Sequence, residues 1–100
     1  MSKELNTQTT AATAPQFDLS NSHHVNMRSL MSDVYARFAN AVAANDDLVA
    51  DKYQSMAEGL TRVAKEVLDD SSLFILCFAL EMMMFRLRSA TRIIKWESAA

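Results

Sequence analysis

One hundred residues leave room for one domain at most. A folded body of ~70–75 residues buries only about 60% of the surface its unfolded chain exposes, so a lone copy is marginally stable. Half the residues are hydrophobic, yet there is one glycine, Gly59, and one proline, Pro15. Sheets and hairpins draw their turns from both residue types, so the composition disfavours them and points to helices. A net charge of −2, from ten basic and twelve acidic residues, argues against a nucleic-acid binder. Cys77 stands alone, which excludes an internal disulfide and fits a reducing compartment or a disulfide-free exported protein.

Residues 1–25 read as a disordered polar tail, rich in Ser, Thr, Asn, Gln and Ala and broken by Pro15. No hydrophobic period survives there, and such a segment buries too little apolar surface to offset its ordering entropy. Phe17 and Leu19 are the residues through which it can dock on the body as a short arm. The tail has no apolar leader segment, which predicts a cytoplasmic protein or one exported without a signal peptide.

A helical bundle is expected over residues 26–98. Met27, Met31, Val34, Phe38 and Ala41 recur at spacings of four and three, widened by Leu30 and Val42, as one face of a first amphipathic helix. Asn45, Asp46 and Asp47 then favour a turn and a cap. In the second helix Val49, Tyr53, Met56, Leu60, Val63 and Val67 form a heptad seam, with Ala57 and Ala64 beside it. Gly59 falls within this helix, off the seam.

Asp69, Asp70, Ser71 and Ser72 form the next break, each a competent N-cap. A turn is expected here, with a continuous kinked helix left open by the lack of glycine. The third helix runs from about Leu73 to Trp96 on the seam Leu73, Leu76, Leu80, Met83, Leu87, Ala90 and Ile94. Its first half has more apolar surface than a seam needs, because Phe74, Ile75, Phe78, Met82, Met84 and Phe85 lie outside it. A helix that is hydrophobic all round has to be surrounded. The apolar run from Leu73 to Phe85 is 13 residues and contains Glu81, too short to span a bilayer, which needs roughly 17–25.

The chemistry-bearing residues form no catalytic set. His23 and His24 are adjacent rather than one helical turn apart, so they are poor metal ligands. Cys77 sits inside the apolar run, where burial raises a thiol pKa and silences it. The acidic pairs Asp46–Asp47 and Asp69–Asp70 lie at helix boundaries, where capping accounts for them. A single glycine cannot build a phosphate loop. Neither cofactor nor metal is expected, and an enzyme is not. Arg88, Arg92 and Lys95 share a face, with Arg86 a step away, and form a basic patch. That patch suits the negative end of the helix dipole, an acidic partner or an anionic lipid surface.

The sequence therefore predicts an all-α, up-down bundle of about three heptad-patterned helices with a disordered N-terminal tail. Its expected function is protein–protein interaction: a homo-oligomer, or docking of a helical partner, through Ala57, Ala64, Leu76, Leu80, Met83 and Leu87. Two alternatives stand beside it. The tail-plus-heptad architecture is analogous to small subunits and chaperones of bacterial secretion machines, which predicts that the tail directs export of a fused reporter. A peripheral membrane protein using residues 73–96 predicts liposome binding that weakens with salt.

Overall fold

A computed structural model describes residues 14–99, and residues 1–13, on which most of the expected tail falls, lie outside the described part. Three helices follow in order: α1, Ser22–Ala43; α2, Asp47–Arg62, which continues through one wider π turn, Val63–Val67; and α3, Ser71–Ala99. Among the described residues there is no strand. The helices run up, down and up. The start of α1 meets the start of α3 through His24 and Asp70, and Met31 meets Cys77 further along. Asp47 and Asp51 at the start of α2 instead reach Arg88 late in α3.

Each boundary follows from local chemistry. The Asn21 side chain accepts from the backbone N–H of His23, so α1 begins at Ser22, four residues inside the segment expected to be disordered. The α1–α2 turn is a Schellman closure: the Asp46 N–H donates to the Ala41 carbonyl and the Asn45 N–H to that of Val42. Asn45 takes φ 63° to make it, a left-handed geometry that Asn tolerates better than most residues. Asp46 then caps α2 at the Val49 N–H. At the second corner Asp69 adopts φ 48° and Asp70 caps α3 at the Leu73 N–H, 3.0 Å away. Helices α2 and α3 are thus separate, as the turn reading expected.

The core is built on Phe38, Val34, Leu73, Cys77 and Met84, all fully buried. Burying a side chain of that size contributes about 1.5–3 kcal/mol relative to leaving it exposed. The α1 stripe is the expected one, with Met27, Met31, Val34, Phe38, Ala41 and Val42 buried and Leu30 left half in solvent.

The inward faces of α2 and α3 differ from the expected seams. On α2 the buried line is Ala50, Ala57, Thr61 and Ala64; Val49, Tyr53 and Leu60 are partly covered, while Met56, Val63 and Val67 are exposed. On α3 it is Leu73, Cys77, Leu80, Met84 and Arg88; Met83, Ala90 and Ile94 are exposed. A heptad seam faces one partner, whereas each helix of a three-helix bundle has two neighbours, and the inward direction bisects them. The alanine line also lets α2 approach closely, which a line of Val, Met and Leu would prevent. The seams therefore fall on one flank of each helix.

The described part of the N-terminal arm is tied down. Phe17 packs on the core and stands edge-on to the His24 ring, whereas Leu19 is exposed. The Asp18 N–H donates to His24 Nδ1 at 2.9 Å, which leaves the ring proton on Nε2 for Asp70, 2.7 Å away. Both nitrogens of this buried histidine are satisfied, as a buried polar side chain requires.

Candidate interaction surface

The first half of α3 cannot hide all its apolar surface against two helices, and the excess lies in register. Ile75, Phe78, Met82, Phe85, Ser89, Arg92 and Trp96 follow one another at alternating spacings of three and four. They form a second heptad line on the side of α3 turned away from the core. Phe78 is 51% exposed, Phe85 58% and Trp96 73%. Isolated apolar residues on a surface mean little, but a contiguous stripe along one helix is unusual for a monomer.

Where the stripe passes α2 it opens into a groove of about 320 Å³. Phe78, Met82 and Phe85 form its apolar wall, and the buried Met84 closes its floor. Gln54, Ala57 and Glu58 of α2 stand opposite, with Glu81 at the seam between the helices. The Thr61 hydroxyl donates to the Glu81 carboxylate, which anchors that acid at the groove edge. The charge on the groove walls is wholly acidic. Phe74 and Phe78 stack with ring centres 6.4 Å apart, and the Lys65 ammonium lies 5.6 Å from the Phe74 ring centre. These contacts fix the upper aromatic wall.

The expected interface residues divide. Ala57, Ala64 and Leu80 are buried inside the chain, packing α2 and α3 of one copy together. A substitution at Leu80 therefore reports on folding rather than assembly. Leu76 and Leu87 are half-buried against the same core, and Met83 is exposed on the flank opposite Glu81. The residues that stand free are Ile75, Phe78 and Phe85, which the sequence identifies as surplus without placing them on a line of their own.

The expected basic patch is broken up in the same way. Arg88 is 7% exposed and crosses to α2, where it meets Asp51 at 2.6 Å, Asp47 at 3.1 Å and the Gln54 side chain. Its Nε has no partner among the described residues. Lys95 donates to Asn45 in the α1–α2 turn, while Arg86 and Arg92 remain exposed. An internal acid pair thus takes the central cation of the patch. It lies four residues from Arg92 along the helix, and nothing in the linear sequence distinguishes the two.

Cys77 is buried against Met31, and desolvation, followed by the nearby Glu81 charge, pushes its thiol pKa up to about 11. Among the described residues no group of three or more His, Cys, Asp or Glu could hold a metal ion, and no helix is long and apolar enough to cross a membrane. Comparison of the chain with protein-family models, curated proteins and solved structures finds no match.

Proposed function

We propose that this protein is a non-catalytic interaction module that presents the outer face of α3, beside α2, to another protein helix. The observation that carries the reading is the exposed heptad line from Ile75 to Trp96, running along an acidic-walled apolar groove. An amphipathic helix laid in an apolar groove is a recurring mode of recognition, anchored at the spacings this line repeats. The three-helix body supplies rigidity behind the surface, and the aromatic pair Phe78 and Phe85 supplies the anchors expected of a binding centre.

Site-specific photocrosslinking in the cell that makes the protein tests this directly. A benzophenone side chain at Phe78 or Phe85 is expected to yield covalent adducts with a protein chain, and one at Arg28 on the outer face of α1 none. Adducts that are absent from both groove positions, or equally abundant at Arg28, reject the reading. The exposed Ile93, Ile94 and Trp96, next to Arg92, favour a second reading, contact with an anionic membrane surface. It predicts a blue shift of Trp96 emission with anionic vesicles that salt reverses; unchanged emission rejects it.

A further inference from the structure

We infer that the occupant of this surface is a second copy of the chain, with the two α3 helices antiparallel about a twofold axis near Phe85. The inference rests on the interaction reading above and names its partner.

The exposed line has two halves of opposite character. The half from Ile75 to Phe85 lies beside α2 and is bordered by Glu58 and Glu81. The other half passes beyond the start of α2, where Arg88 meets Asp47 and Lys95 meets Asn45. On this half Ile93 and Trp96 are exposed, with Arg92 beside them. One half is thus a recess with acidic walls, and the other an apolar projection carrying a cation. The midpoint of the line falls at Phe85, so a twofold axis there exchanges the halves and seats each projection in the other copy's recess. Such a contact is self-complementary and closes at two copies.

Charge selects the direction. Glu81 and Arg92 lie on the same flank of α3, the one facing α2. Like flanks face one another in an antiparallel pair, so Arg92 of each copy comes beside Glu81 and Glu58 of the other. A parallel pair sets Arg92 against Arg92 within the seam, a contact that like-charge repulsion opposes. The line from Ile75 to Trp96 spans about 32 Å at 1.5 Å per residue, three heptads of knobs-into-holes packing.

The test uses the full chain. Light scattering across concentration is expected to show a dimer, with Phe85→Glu monomeric and still helical by circular dichroism. Arg92→Glu is expected to weaken the dimer tenfold or more, and adding Glu58→Lys to restore much of the loss. Spin labels at Arg86→Cys and Glu97→Cys read the direction. The antiparallel pair places the Glu97 labels about 36 Å apart along the axis and the Arg86 labels close together. Equal short distances at both positions mean a parallel pair and overturn the inference. A monomer at millimolar concentration overturns it too, as does a dimer indifferent to both Phe85→Glu and Arg92→Glu. In those cases the photocrosslinks still decide the broader reading, because an adduct with a protein of different mass sustains docking without self-association.

Discussion

The two ends of α3 are built on opposite terms. At its start Leu73 is fully buried, Asp70 both caps the helix and accepts from His24, and Phe17 closes over the same corner. At its end Ile93, Ile94 and Trp96 project with little covering them. The same helix therefore passes from a segment with its inward face sealed within the chain, though Ile75 and Phe78 stand free on the outer side, to one whose apolar side chains find little cover on any side. Hydrophobicity alone does not separate a core from an interface; what separates them is whether the chain folds something back over the residue. Here α1, α2 and the N-terminal arm cover the first turns of α3 and leave the last turns bare.

Matched substitutions test that contrast. Leu73→Ala is expected to cost about 3 kcal/mol in chemical denaturation, since it empties a fully buried site; a loss below about 1 kcal/mol would mean the corner is loosely packed. Asp70→Ala is expected to cost about 2 kcal/mol, from a lost N-cap and a buried His24 Nε2 left without its acceptor. Its effect has a pH signature. The Leu73 N–H, and then the hydrogen bond with His24, hold the Asp70 carboxyl below its ordinary value. The ionised form stabilises the fold above the unfolded value of about 3.9, and that contribution fades as pH falls through the lower native one. Wild type and Asp70→Ala should accordingly converge in strongly acid solution, and a gap that stays constant with pH would remove the carboxylate from the account.

Midway along α3, Arg88→Ala is expected to cost about 1 kcal/mol and Arg88→Met close to nothing. The long side chain packs between helices, while Asp47 and Asp51 are exposed enough to rehydrate when their cation is removed. Equal losses for both variants would assign the stabilisation to charge rather than packing. At the far end, Ile94→Ala is expected to change the stability of dilute protein by less than about 0.5 kcal/mol, because little of its surface is covered. A larger loss there would show that the projecting turns are held by something within the chain.

The helices, their turns and the excess of α3 were legible in the residues themselves. The α1 stripe has one apolar face and hence one way to turn inward. Asp46 and Asp70 cap helices because a carboxylate beside the first free N–H groups satisfies them wherever the chain goes next. The rotation of α2 and α3 was not legible. Residues 73–85 carry two heptad lines, one through Leu76 and Met83 and one through Phe78 and Phe85, and periodicity cannot rank them. The arrangement is decided by three bodies packing at once, with Ala50, Ala57 and Ala64 giving α2 its closest approach. The pairing of His24 with Asp70 joins residues 46 apart, and that of Arg88 with Asp47 residues 41 apart. Neither leaves any local mark, since the same side chains on open surface read identically.

The burial of Cys77 also supplies the molecule with an internal clock. A thiol with its pKa near 11, sealed beside Met31, reacts with a disulfide reagent only when α3 lifts away from α1. Where reclosing outpaces the reagent, the rate of modification in native buffer measures the population of opened molecules rather than the chemistry of sulfur. One atom in the second turn of α3 thus reports how often the fastened end of that helix parts company with the rest of the fold.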